Sequence, residues 1–172
     1  SVGLPCPGAR IAVMDSEGRE VPRGEVGEIW IHGGSVIKGY WNNPRATAES
    51  FVAGYWRSGD LGSIDAQNFV RVLDRQKDMI NRGGLKIYSA EVESVLAGHP
   101  AVIESAIIAR PCPVLGERVH AVVVLRDHID SSVLRAWCAA RLSDYKVPET
   151  IIVSAEPLPR NVVGKALKRQ LQ

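Results

Sequence analysis

The sequence predicts an α+β protein in two unlike parts: a β-rich first part, then a small α+β part with a three-stranded core sheet and packed helices. Three observations carry this. Up to about residue 73 the apolar runs are strand-length and bounded by turn residues. From Asp74 onward the pattern becomes β-β-α-β-β-α-β-α, with two segments whose apolar residues follow helical spacing. Between the two textures charge clusters at Asp74-Arg75, which sets the expected domains at 1–74 and 75–172.

In the first part, Arg10 to Met14 reads as a strand and Asp15-Ser16-Glu17-Gly18 as a turn. Glu28 to His32 is a second strand. Its centre, Ile29-Trp30-Ile31, is apolar without alternation, which predicts cover on both faces, and Gly33-Gly34 breaks it. Asn43 is a helix cap and Pro44 suits the first turn, so RATAESF should be helical, with Gly54 as its stop. Trp56 to Asp65 and Phe69 to Leu73 read as a hairpin-like pair.

In the second part, Met79-Ile80 and Leu85 to Tyr88 are short strands around Gly83-Gly84. Ser89 should cap a helix whose Val92, Val95 and Leu96 share a face, and Gly98 should end it. Ile103 to Ala109 and Val119 to Leu125 are apolar strands joined by a loop holding Pro111, Pro113 and Gly116. Ser131 or Ser132 should cap the next helix, with an apolar stripe of Val133, Leu134, Trp137, Cys138 and Leu142. Ile151 to Ser154 is a third core strand, and Lys165 to Leu171 a final short helix.

Composition narrows the function classes. The 172 residues are 45% hydrophobic and 23% charged, as expected of a soluble globular chain. A net charge of +2 is too small to point to nucleic acid. No apolar run reaches membrane-spanning length, and no charged-then-apolar leader is visible. Cys6, Cys112 and Cys138 form no CxxC pair, and with the scattered His32, His99, His120 and His128 they match no zinc spacing. The expectation is a cytoplasmic protein with reduced thiols, two of them packed as small hydrophobes, and with no metal ligand of its own.

Four places carry groups suited to chemistry. Asp60, in Ser58-Gly59-Asp60-Leu61, has a carboxylate able to accept from both hydroxyls of a ribose, or else to close a turn on its own backbone. Arg75, Lys77 and Asp78 form a charged run between apolar strands. Arginine there suits phosphate or ribose oxygens, and the run also suits a hinge between domains. Gly83-Gly84 offers either a plain tight turn or a backbone without Cβ atoms, along which a thin substrate arm can pass. Lys165 follows Gly164, with Lys168 and Arg169 behind it. It could neutralise charge on a phosphoryl group, or the three could be an exposed basic helix.

Taken together, YWRSGDLG, LDRQKDMINRGGLKIYSAEVE and PRNVVGKALKR resemble the last signature motifs of the adenylate-forming enzymes: acyl- and aryl-CoA synthetases, peptide-synthetase adenylation domains and beetle luciferases. GEVGEIWIHGGSVIKGYWNNPRATAESF extends the resemblance over nearly the whole chain. It implies that 1–74 is the β-rich end of a large N-terminal adenylation domain and 75–172 a small mobile C-terminal domain. It also implies a two-step reaction: a carboxylic acid and ATP give acyl-AMP, then CoA takes the acyl group. By resemblance Asp60 binds the AMP ribose, Arg75 contacts ribose or phosphate, Lys77 is the hinge residue, Gly83 and Gly84 border the pantetheine tunnel, and Lys165 is the catalytic lysine of adenylation. Glu91 reads as structural.

The family's phosphate loop, adenine-binding segment and magnesium-holding Thr-Glu have no counterpart in these residues. Magnesium would therefore be held through the missing N-terminal domain, and the 172 residues alone should be inactive. Gly-Gly at 83–84 favours a CoA ligase. The alternatives are a peptide-synthetase type adenylation domain and a non-catalytic module that keeps the swinging-domain fold. A basic nucleic-acid binder has only Lys165, Lys168 and Arg169 in its favour.

Overall fold

A computed structural model describes residues 1–171. The chain divides into two compact units, Ser1–Lys77 and Asp78–Gln172. The boundary expected at Asp74-Arg75 lies inside a strand of the first unit.

The first unit is one antiparallel sheet. It contains β1 (Ala9–Met14), β2 (Gly27–Gly33), β3 (Phe51–Val52), β4 (Tyr55–Ile64) and β5 (Val70–Arg75), with a short helix α1 (Pro44–Ser50) before β3. The long strand β4 organises it: β2 lies along one side, and β3 and β5 share the other. Val13, Ile29, Ile64 and Val70 form the core. Glu28, Ile29 and Trp30 are all buried, so β2 is covered on both faces as its unbroken apolar centre requires. Asn43 caps α1 through Oδ1, which accepts from the Ala46 amide at 3.0 Å. Gly54 does not end that helix. Two strand residues intervene, and Gly54, at φ +81°, turns β3 into β4.

The second unit holds β6 (Ile80–Arg82), β7 (Leu85–Ile87), α2 (Ser89–Ala97), β8 (Val102–Cys112), β9 (Gly116–Leu125), α3 (Ser131–Ala139) and β10 (Thr150–Ser154). Strand β9 is the axis, antiparallel to β8 and parallel to β10. The β6–β7 hairpin joins it through Arg82 opposite Gly116, making five strands in all. The two helices cover a core that includes Ile80, Ile87, Leu96, Ile107, Val123 and Leu134. Trp137 ties them together by donating its indole N–H to the Val95 carbonyl at 2.8 Å. Cys138 is buried in this core and Cys112 is buried at the end of β8.

Several local expectations need correction. Ser89 is the first residue of α2 and Tyr88 its N-cap position. Asp130, not a serine, caps α3, accepting from the Ser132 amide at 2.7 Å. Its carboxylate has the same backbone-capping chemistry and sits one residue earlier. The β8–β9 loop is only residues 113–115, because the pairing runs on through Pro111 to Cys112 opposite Gly116. Val133 is exposed, so the α3 stripe is narrower than its apolar residues suggest. The final helix is absent: residues 161–165 form a turn, and only Lys168–Gln170 make a single 3₁₀ turn.

Candidate active site

In the first unit the site is built on a bulge. Across from Ile29 of β2, strand β4 has the three residues Ser58, Gly59 and Asp60 between the paired positions 57 and 61. Ser58 is buried and donates its hydroxyl to the Ile29 carbonyl at 2.7 Å, a bond that replaces the interrupted ladder. The same Oγ accepts from the Asp60 amide at 3.0 Å. Gly59 stands at φ +71°, which an L side chain rarely adopts. The bulge is also held from beneath by Glu28, whose buried carboxylate accepts from Trp30 Nε1, from Arg57 Nε and Nη2, and from the Gly59 amide. Sequence reasoning missed Glu28, because two of its three partners, Arg57 and Gly59, lie on another strand and a lone Glu in GEI carries no local signal.

Asp60 is thereby presented at the edge of the bulge. Its partner in strand register is Arg75 of β5, and Arg75 Nε lies 2.8 Å from Asp60 Oδ1. The Asp60 side chain keeps 28% exposure and that of Arg75 keeps 49%. Both groups therefore stay available to a ligand while holding one another in place. Beside them an open cleft of about 340 Å³ is lined by Gly59, Arg75, Gln76 and Lys77. Lys77 is exposed in a 3₁₀ turn, Gln76–Asp78. A guanidinium that lines the cleft, with a carboxylate paired to it, can bind an anion and a polyol together.

The second unit presents two further places. Gly83 (φ +59°) and Gly84 (φ +90°) make the two-residue turn between β6 and β7. The turn is fixed from both ends: Gly83 donates to the Leu115 carbonyl at 2.7 Å, and Gly84 to Asn81 Oδ1 at 3.0 Å. A Cβ on Gly84 would meet nothing within 4 Å, so the outer face of the turn is bare backbone. Nearby, Cys112 Sγ accepts from the Leu115 amide at 3.4 Å and from Arg118 Nε at 3.0 Å. The Leu115 and Val114 amides, then Arg118, hold this thiol below its ordinary range.

Lys165 is exposed on a separate turn. Among the described residues its ammonium has no hydrogen bond or ion pair, whereas its backbone is tightly held. Lys168 is different. Its ammonium lies 2.7 Å from Ser89 Oγ and 2.7 Å from Glu93, with a side chain only 20% exposed. It is an internal strut, which removes one of three cations from the basic cluster considered for nucleic acid. Glu91 is likewise paired, with Lys146 at 2.7 Å.

Asp60, Arg75 and Lys77 thus gather on one unit, and Gly83-Gly84 and Lys165 on the other. Among the described residues no group of three His, Cys, Asp or Glu side chains could hold a metal, and no helix is long and apolar enough to cross a membrane.

This fold is that of the C-terminal part of the adenylate-forming enzymes. The AMP-binding enzyme C-terminal domain model matches residues 91–165, and the AMP-binding enzyme model matches residues 1–41. The chain is 42% identical over 174 residues to a feruloyl-CoA synthase of Amycolatopsis and 39% identical over 173 residues to a long-chain-fatty-acid–CoA ligase of Yersinia pestis. Both alignments take in 100% of this chain but only 35% and 31% of those proteins. The chain therefore spans about a third of the length of the curated relatives it matches. Among solved structures, o-succinylbenzoate CoA synthetase of Bacillus subtilis, in complex with its acyl-adenylate intermediate, superposes with a TM-score of 0.93 at 39% identity, over 98% of this chain and 34% of that one. An amide bond synthetase of Marinactinospora thermotolerans gives 0.89 at 35% identity, over 99% and 35%. The chain belongs to the AMP-binding enzyme family, its later part matching that family's C-terminal domain.

Proposed function

We propose that the chain is the C-terminal segment of an AMP-forming carboxylic acid–CoA ligase, with the first unit, Ser1–Lys77, completing a nucleotide-binding domain and the second, from Asp78 onward, forming a mobile domain. The carrying observation is the bulge that sets Asp60 against Arg75 beside an open cleft. The ion pair engages Asp60 Oδ1, and the second carboxylate oxygen, Oδ2, suits ribose hydroxyls. Arg75 adds a cation for ribose or phosphate oxygens. These two groups fit an ATP or AMP ligand. ATP would supply an activated adenylyl group when bound, with pyrophosphate as the leaving group. The chain's own residues bind the nucleotide, and Lys165 offsets the negative charge where the acid meets the α-phosphate.

In this reading Lys77 is the hinge. Gly83 and Gly84 give a path free of Cβ atoms to the pantetheine arm of CoA, the thiol acceptor. Magnesium belongs to residues outside this segment, as does the pocket for the acid. The segment alone is inactive, and the reaction is cytoplasmic, where its thiols stay reduced. The amide bond synthetase among the structural relatives makes an amine acceptor the second reading.

The test is Lys165→Ala in the full-length enzyme, with the two half-reactions read separately. Acid-dependent exchange of pyrophosphate into ATP should fall by about 100-fold or more. Thioester formation from supplied acyl-AMP and CoA should be spared. Equal losses in both would reject the assigned role, and exchange catalysed by residues 1–172 alone would reject the inactive segment.

A further inference from the structure

The Lys165 turn is more rigidly built than an exposed loop needs to be. Residues 159–167 form a small hairpin: the Leu167 amide donates to the Pro159 carbonyl at 2.7 Å, and Arg160 bridges to Ala166. Across the turn Asn161 bonds Lys165 in both directions. The Asn161 amide donates to the Lys165 carbonyl at 2.9 Å, and Asn161 Oδ1 accepts from the Lys165 amide at 2.9 Å and from the Val163 amide at 3.1 Å. Gly164, at φ +82°, lets the chain reverse, and its amide donates to the Asn161 carbonyl.

The hairpin is fastened to the unit at both arms. Arg160 spans two partners: Nη1 donates to the Gly164 carbonyl at 2.6 Å, and Nη2 to Glu104 Oε2 on β8 at 2.8 Å. On the other arm Lys168 is held by Glu93 and Ser89 of α2. Glu93 in turn accepts from the Ile107 amide at 2.8 Å, which locks the strut to the sheet. Only the tip is left bare. Val162 and Val163 are fully and 72% exposed, and the Lys165 ammonium projects without a partner among the described residues.

A surface turn needs neither an Asn clasp nor a charged strut to be stable. One that must deliver a cation to a fixed point does, because misplacing a reacting group by about 1 Å can cost roughly 100-fold in rate. A preset donor also has no reorganisation to undergo when charge develops. We infer that Asn161, braced by the Arg160–Glu104 ion pair, is a positioning residue for Lys165 in the adenylation step. This rests on the functional reading above and adds residues to it that the sequence motif alone does not single out.

The experiment uses the full-length ligase with ferulate and hexadecanoate as probe acids, and four variants: Asn161→Ala, Asn161→Asp, Glu104→Gln and Lys165→Ala. Asn161→Ala should slow acid-dependent ATP–pyrophosphate exchange by about 10- to 100-fold through kcat. The KM for ATP and thioester formation from supplied acyl-AMP should hold. Asn161→Asp keeps the two acceptor bonds and should recover most of the rate. Glu104→Gln should show a smaller loss of the same kind. Hydrogen exchange of peptide 159–167, read without substrate, should quicken in Asn161→Ala alone among the two Asn161 variants. Full exchange activity in Asn161→Ala beside a dead Lys165→Ala would overturn the inference, as would equal losses in both half-reactions or unchanged amide protection. An active Lys165→Ala would instead overturn the functional reading, and the positioning role with it.

Discussion

At His120, on β9, ring atom Nδ1 is buried without a hydrogen-bond partner among the described residues. Desolvation, followed by the nearby Arg110, pushes the imidazole below its ordinary value of 6.5. Glu149 opposes that shift, and Arg118 adds to it. Just below pH 6.5 the unfolded chain binds a proton that the folded chain refuses, so stability decreases as pH is lowered, and this contribution is lost once pH has dropped through the folded-state value. Urea midpoints taken between pH 5 and 8 should rise with pH. In His120→Val the rise should be shallower, and an equal slope would show that another group sets it. In the sequence Asp60 and Lys165 drew attention because each stands beside a glycine. Glu28 and Glu104 did not, because each acts on a segment tens of residues away.

The elements were legible where period and punctuation agree. Strand β2 shows it: Ile29-Trp30-Ile31 predicted cover on both faces, and Trp30 and Glu28 fill the second face through a buried hydrogen bond. The Asn43 cap of α1 was legible, whereas the cap of α3 was misplaced because several capping types stand side by side, Asp130 beside Ser131 and Ser132. The last helix failed for a physical reason. Asn161 and Gly164 close a turn whose bonds compete with helix formation, and Lys168 then spends its charge on α2. The β6–β7 hairpin carries the clearest element-scale prediction. Both central glycines stand at positive φ, so Gly83→Leu adds about 1–2 kcal/mol of backbone strain and puts a side chain beside Leu115 on the turn. In the full-length enzyme this variant should lose thioester formation from supplied acyl-AMP and keep pyrophosphate exchange. Undisturbed CoA transfer would remove the turn from the proposed thiol path.

For the whole molecule, the change in texture near Asp74 was visible because charge interrupts two separate apolar patterns, and each unit does bury its own core. By resemblance the hinge falls at Lys77. Strand pairing holds Arg75 to Asp60, and the core residue Ile80 opens β6, so the residues uncommitted to either sheet are the 3₁₀ turn Gln76–Asp78 and Met79. Lys77 is its exposed centre, with no ion pair or hydrogen bond among the described residues. If domain alternation runs through this turn, fixing one backbone dihedral there should separate the half-reactions. Lys77→Pro locks φ near about −65° and bars Gln76 from the helical region. One half-reaction should then continue within a few-fold while the other, and the overall rate, fall by roughly 100-fold. A circular dichroism melt matching the unchanged enzyme would exclude simple unfolding. Two half-reactions and an overall rate that all survive would place the hinge elsewhere than Lys77.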